Sequence, residues 1–329
     1  MSALRSKIGL YTLLLLFIVT LGSLAYRMFT NELDAKVRTI IYVPKTIDSS
    51  IEFWEVVKQG VATAAKEFGA EVRTVGTDTE LDVDQQIELL EQAIKGKPDA
   101  IILSATDYYR LIPIAEKIKS AGITLITVDS GLSGGVSESF IATDNYEAGR
   151  KAGQELRKYI DPEDKVAIVN FVQGSATAIE RERGARDALL ENGVHDVQPT
   201  LYSDGSVRKA YQLTVDLLKD EPNLKGIIGL NEPSTLGAGQ AIMDMGFQDK
   251  VKLFGFDNSS NEVKLLEKGI LLGTVMQKPF NMGYLAVKTA IEAVEGEKVE
   301  RIIDTGSVII TKENMYLSEN EKLMFPFIE

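Results

Sequence analysis

From residue 38 onward, apolar residues come in short unbroken runs that alternate with stretches of helical spacing. "RTIIYVP" is a run of strand type. Phe53, Val56, Val57, Val61 and Ala64 then recur at three- and four-residue intervals as far as Phe68, and Gly69 stops that helix. "AEVRTVG" predicts the next strand, and Asp82 with Gln85 three residues on predicts a capping box for a helix running to Ile94. "DAIILSA", "ITLITVD" and "ESFIATD" complete a first series, with a helix over 109–120 between the first two. After Asn145 the rhythm restarts. Helices over 146–160, 177–192, 206–219, 233–246 and 260–268 alternate with strands at "KVAIVNFV", 197–202, "GIIGL", "VKLFGF" and 271–276. A helix over 279–295 and an extended stretch over 301–311 close the pattern.

Continuous apolar strands, rather than strands alternating apolar and polar, are buried on both faces and predict parallel sheets covered by helices. Two such series predict an α/β protein of two similar, three-layer, doubly wound parallel-sheet lobes. The helix over 279–295 follows the second series with no further central strand, so it is expected to return to the first lobe. The lobes would then share several crossovers, the geometry of a hinge. The expected division is 38–143 with about 278–306 in the first lobe, and 144–277 with about 307–329 in the second.

The first 37 residues break the pattern. "RSKIGLYTLLLLFIVTLGSLAYR" holds 19 uncharged, mostly apolar residues from Ile8 to Tyr26, flanked by Arg5, Lys7 and Arg27. A helix of that length rises about 28 Å, enough for a bilayer core. Arg5 and Lys7 favour a cytoplasmic start, with everything after Arg27 on the outer side. The expectation is a single-pass anchor in the cell membrane and a polar stalk over 28–37. The alternative is a secretory signal cut near Ser23-Leu24-Ala25, which would leave a secreted or periplasmic protein. No Cys follows the run, so a lipoprotein anchor is excluded.

Composition narrows the chemistry. The apolar share of 44% and charged share of 26% are those of a folded protein. With 36 basic and 48 acidic residues the net charge is −12, which makes nucleic acid an unsuitable partner. The absence of Cys removes disulfides, thiolate catalysis and zinc–cysteine sites, and the single His, His195, stands in a turn-like segment. No metal or cofactor is expected.

In open parallel sheets ligands bind beyond the carboxyl ends of the strands. The groups there are Ser104, Asp129 and Thr143-Asp144-Asn145 in the first series, and Gln173, Asn231, Asp257 and Gln277 in the second. Each alone can be a helix cap. Together they are hydroxyls, amides and carboxylates, suited to the vicinal hydroxyls of a neutral polyol. Phe53 and Trp54 add aromatic faces for a sugar's C–H surface, and the helical spacing makes Trp54 the more exposed of the two.

The motifs "FWEVVKQGVATAAKEFG", "PDAIILSATD", "SFIATDNYEAGRKAG", "VQGSATAIERERGARDAL", "GIIGLNEPSTLGAGQAI", "KLFGFDNSS" and "LLGTVMQKPFNMGYLAV" follow one another in an order and spacing that resembles type I periplasmic binding proteins of the ribose-binding, pentose/hexose class. The resemblance covers roughly residues 38–312. It implies a periplasmic-binding-protein-like I fold and a sugar sandwiched against Phe53 and Trp54. It implies further contacts from Ser104 (where the ribose-type pattern has Asn), Asp129, the hinge residues Thr143 and Asn145, Arg183 of "RERG", Asn231, Asp257 and Gln277. The family's Asn pair before the aromatics is replaced by "DSSIE", where Ser49 or Ser50 would serve. The Arg common after the fourth-strand Asp is Ser130 here, so a charged clamp is missing. No counterpart of the family's second-lobe aromatic stands near Asp204-Gly205.

The leading expectation is therefore a monosaccharide receptor outside the membrane, closing on its ligand and presenting the closed form to a sensor histidine kinase or an ABC permease. A glycoside-processing enzyme using Asp129 and Asp257, or a receptor for a furanose-like signal molecule, are the alternatives. The related sugar-responsive repressors carry an N-terminal helix-turn-helix, and here the apolar run takes that place.

Overall fold

A computed structural model describes residues 16–17, 19–23 and 37–324. Most of the apolar run from Ile8 to Tyr26, with Leu24 and Ala25 of the cleavage-like site and the stalk short of residue 37, lies outside the described residues, so the anchor expectation falls largely there. Residues 16–17 and 19–23 are helical. Among the described residues no helix is long and apolar enough to cross a membrane. Residues 1–38 form one unit and Thr39–Glu329 another.

The second unit is built on two six-stranded sheets. The first contains β1 (Thr39–Val43), β2 (Glu71–Thr74), β3 (Ala100–Leu103), β4 (Thr124–Val128), β5 (Ser139–Ala142) and β11 (Ile302–Asp304), in the order β11-β5-β4-β3-β1-β2. Every pairing in it is parallel. The second contains β6 (Lys165–Asn170), β7 (Leu201–Tyr202), β8 (Leu224–Gly229), β9 (Lys252–Phe256), β10 (Leu271–Met276) and β12 (Val308–Thr311), in the order β12-β10-β9-β8-β6-β7. It is parallel except for β12, which runs antiparallel to β10. Central strands such as β3, buried at all four positions, have helices on both faces. Neighbouring residues there pack into different cores: Ile102 beneath one set of helices, Ile101 beneath the other.

The extended stretch over 301–311 is thus two strands, one in each sheet. Gly306, at φ +72°, turns the chain between them. The chain passes between the sheets there, after β5, and after β10.

Helix α1 (Glu52–Glu67) lies with α9 (Pro279–Val294) on one face of the first sheet. The two approach until backbone meets backbone. A Cβ on Gly60 would stand 2.1 Å from the Phe280 carbonyl oxygen, and one on Gly283 2.1 Å from that of Val57. The second lobe repeats the device where α4 (Asn145–Arg157) crosses α5 (Ala176–Glu191). There a Cβ on Gly149 would stand 2.2 Å from the carbonyl oxygen of Arg181, and one on Gly184 2.0 Å from that of Tyr146. The predicted capping box at α2 (Val83–Lys95) does not form. Asp82 occupies the N-cap, but its carboxylate accepts the Thr79 hydroxyl at 3.1 Å and caps no helix N–H.

Candidate functional site

Asp129 and Asp257 occupy equivalent places in the two sheets. Each follows the strand that lies fourth in its series, β4 or β9, and each backbone N–H is held by the neighbouring strand: Asp129 donates to Ile141 O at 2.9 Å, Asp257 to Val275 O at 3.0 Å. Both are in the left-handed region, at φ +62° and +72°. A non-glycine residue held there costs about 1–3 kcal/mol, and such strain clusters at binding and catalytic sites. Both are buried, at 3% and 5% exposure, so two strained carboxylates face one another's lobe from the ends of two sheets.

Between them is a cavity of about 30 Å³ lined by groups from both lobes. From the first lobe come Lys45, Ile51, Phe53, Trp54, Glu80 and Asp129; from the second come Phe171, Thr177, Arg181, Asn231, Pro233, Asp257 and Gln277. Phe53 and Trp54 stand edge to face, their ring centroids 5.0 Å apart. Trp54 is the more buried of the pair, at 2% against 8%, the reverse of what the helical spacing suggested. Its indole N–H donates to Glu80 Oε1 at 3.0 Å, which fixes the ring plane and draws a third carboxyl into the wall. Burial raises the Glu80 pKa, against the opposing pull of Lys45 and the Trp54 hydrogen bond.

The cations of the site are Lys45 and Arg181, neither of them among the sequence candidates. Lys45, two residues beyond β1, places its Nζ 2.9 Å from Asp129 Oδ2 and donates across the cleft to Thr177 Oγ1 at 2.9 Å. The same ammonium lies 5.9 Å from the Trp54 ring and 5.5 Å from that of Phe171. The charged clamp that Ser130 cannot supply therefore reaches Asp129 from the loop after β1, across the end of the intervening β3. Arg181 serves the second lobe. Its Nε donates to Asn145 Oδ1 and its Nη1 to Leu230 O, both at 2.9 Å, and the guanidinium lies 4.6 Å from the Phe256 ring. Asp257 Oδ1 accepts from Gln277 Nε2 at 2.6 Å and Oδ2 from Glu232 N at 3.0 Å. Burial raises the Asp257 pKa, opposed first by Arg181 and then by these two donors.

Arg183, the sequence candidate, is not in the cavity. Two residues along an α-helix turn by about 200°, so Arg183 leaves α5 on the side opposite Arg181. It is more than half exposed, pairs with Glu180, and lies over the Tyr146 ring at 4.2 Å. Ser50 and Ser49 are exposed, and Gln173 lies on the surface while Phe171 takes the place expected of it. Ser104 is fully buried beneath the site, its N–H bonded to Val43 O and its carbonyl to Gln86 Nε2, and it does not line the cavity. Thr143 and Asn145 stand behind it. Thr143 Oγ1 is buried without a hydrogen-bond partner, while Asn145 holds Arg181 and donates to Thr143 O at 3.0 Å. Asn231 caps α7 (Glu232–Asp244), its Oδ1 accepting from Ser234 N at 3.0 Å, so its amide nitrogen is the group left for a ligand.

The lobes touch around the cavity. Phe53 N donates to Glu232 Oε2 at 3.4 Å, Ser260 N and Oγ donate to the Glu52 carboxylate at 3.2–3.3 Å, and Tyr108 N donates to Gly174 O at 2.9 Å. Burial and the adjacent Asp257 push Glu232 up to about 8. No cluster of metal-ligating side chains occurs among the described residues.

Known proteins share this fold. Residues 40–298 match the periplasmic binding protein domain family. The D-ribose/D-allose-binding protein of Pseudomonas aeruginosa is 26% identical over 273 residues, 79% of this chain and 85% of that protein. A sugar transporter from Clostridium phytofermentans superposes with a TM-score of 0.78 at 36% identity, over 83% of this chain and 99% of that one. An ABC transporter solute binding protein from Agrobacterium vitis, solved with bound D-fucose, superposes with a TM-score of 0.84 at 32% identity, over 87% and 99%. The family is one of binding proteins, so the reading of Asp129 and Asp257 as a glycosidase pair is set aside. The chain belongs to the periplasmic binding protein domain family and is a non-enzymatic, type I periplasmic sugar-binding protein.

Proposed function

We propose that the chain is an extracytoplasmic receptor for a neutral sugar ring of the pentose or hexose type, held between Asp129 and Asp257 with Phe53, Trp54 and Phe171 against its C–H surface. The carrying observation is the matched pair of strained, buried aspartates at equivalent strand ends, each beside a buried cation of its own lobe. Lys45 and Arg181 thereby balance Asp129 and Asp257 within the protein, and burial shifts the third carboxyl, Glu80, toward its neutral form, which favours a ligand that brings hydroxyls and no charge. Each hydrogen bond from a hydroxyl to a charged group contributes roughly 1.5–3 kcal/mol. The relatives support this, since one is named for ribose and allose and another was solved with D-fucose.

The two lobes are the two sheets with their helices, 38–143 with about 278–306 and 144–277 with about 307–329, joined at three crossovers. Sugar brings the lobes together, and their closed surface is read by a membrane partner, an ABC permease or a sensor histidine kinase. The apolar N-terminal run is the proposed means of holding the receptor at the membrane beside it. Calorimetry on the full chain in detergent, with D-ribose, D-allose, D-fucose and D-arabinose, tests the reading. Saturable binding of at least one is expected; no heat from any sugar would sink it.

A further inference from the structure

The cavity between the aspartates is small for its proposed task. About 30 Å³ is room for roughly two waters, and its walls are already in mutual contact through Lys45, Asp129 and Thr177. Ile51, Glu80 and Pro233 also line an adjoining groove of about 720 Å³, within the range of about 300–1,000 Å³ usual for small-molecule sites.

We propose that this groove is a second sugar subsite, so that the receptor's ligand is a disaccharide or longer glycoside whose inner ring enters between Asp129 and Asp257. The inference rests on the sugar-binding reading above. The groove has the composition a ring requires. Pro233, Leu236, Met243 and Leu265 form an apolar strip for a C–H face. Asp48, Asp78 and Thr79 of the first lobe face Arg208, Asn261 and Lys264 of the second, so hydrogen-bonding groups flank the strip on both sides. Acids on the first-lobe rim, and bases interspersed with Asp204 and Glu232 on the second, leave no single-sign field, which suits a neutral sugar over a phosphate or a polycation.

Two features keep the way open. The second-lobe wall there includes the turn Asp204–Ser206, where Gly205, at φ +71°, would have nothing within 4 Å of an added Cβ. Asp204 is also left-handed, at φ +55°, and is pinned by Lys209, so the turn is held in a shape that puts no bulk into the groove. At the junction stands Glu80, buried at 8% exposure, held by the Trp54 indole and lining both spaces. It is placed to accept a hydroxyl next to the bond joining the two rings.

The test is calorimetry on the full chain with D-glucose, D-galactose, D-xylose, D-ribose and D-allose beside cellobiose, lactose, melibiose and xylobiose. A disaccharide binding at least tenfold more tightly than each of its component sugars is the expected result. Val207 lines the groove and is exposed, so Val207→Trp should fill the second subsite. It should weaken the disaccharide tenfold or more and any binding monosaccharide less than threefold. Asn261→Ala, a truncation on the exposed rim, gives the same contrast should the tryptophan variant misfold. Monosaccharides binding as tightly as every disaccharide would overturn the subsite and leave the sugar receptor standing. No binding by sugars of either size would remove both.

Discussion

Replacing Gly149 by alanine sets two opposing effects against each other, and the geometry says which one wins. An interior helical glycine replaced by alanine gains about 0.5–1 kcal/mol from the reduced freedom of the unfolded chain. Against this, the new Cβ would lie 2.2 Å from the Arg181 carbonyl oxygen, 2.8 Å from its carbon and 2.9 Å from its Cα, where a real Cβ stays beyond 3.0 Å. Helices α4 and α5 must therefore separate by at least about 0.8 Å, the shortfall between 2.2 and 3.0 Å. Overpacking of this kind costs about 1–3 kcal/mol, more than alanine returns. The atoms displaced are the main chain of Arg181, and they carry with them its guanidinium, whose Nε and Nη1 bonds to Asn145 Oδ1 and Leu230 O at 2.9 Å would stretch beyond bonding range. The expected outcome is a melting temperature lower by about 2–6 °C. With it goes a loss of sugar affinity of tenfold or more, equivalent to about 1.4 kcal/mol. Scanning calorimetry and titration with a sugar that binds the parent protein read both. A variant as stable as the parent, with unchanged affinity, would refute the account of how Arg181 is placed.

The remaining predictions separate the groups in the site. Asp257→Asn keeps a residue that tolerates φ +72° but turns an amide donor toward Gln277 Nε2 or Glu232 N, so stability should fall by about 1–3 kcal/mol and affinity at least tenfold. A twofold change or less by calorimetry would remove Asp257 from the ligand contacts. Arg181→Ala should abolish binding and, by leaving Asp257 without its buried cation, lower stability by about 3–5 kcal/mol, whereas the exposed Arg183→Ala should leave affinity within about twofold. Binding assays that rank the two arginines the other way would reverse the assignment. Glu232 is raised from 4.5 to about 8, so the folded protein retains a proton there that the unfolded chain releases. Its stabilisation is full below pH 4.5 and lost as pH rises through about 8, so the melting temperature should fall across that window and the fall should be shallower in Glu232→Gln.

What could be read from the sequence follows from which signals are local. Strand–helix alternation is local, and it located both sheets; the strand-end rule then reached Asp129, Asn231, Asp257 and Gln277, which line the cavity. Lys45 satisfies the same rule, since it lies two residues past β1, but the hydroxyls, amides and carboxylates that mark a polyol site do not point to a lysine, and the cation the motifs indicate is Arg183. Arg181 also left a trace. The buried positions of α5, Thr177, Ala178, Arg181, Gly184, Ala185, Ala188 and Leu189, form one stripe of helical period that passes through Arg181 and misses Arg183. A charged residue on the buried stripe of a helix was a stronger pointer than a match to a short motif two residues away. Glu80 left no such trace. It follows the second strand's loop, and only the folding of that loop beneath Trp54 makes it part of the wall. The left-handed backbone of the two aspartates was equally hidden, because an aspartate after a strand is compatible with an ordinary cap, and φ is set by the pairing of its N–H with the next strand. That strain is the better evidence for function. A cap would need no such geometry, and the fold maintains it twice, at equivalent points of two sheets whose sequences differ.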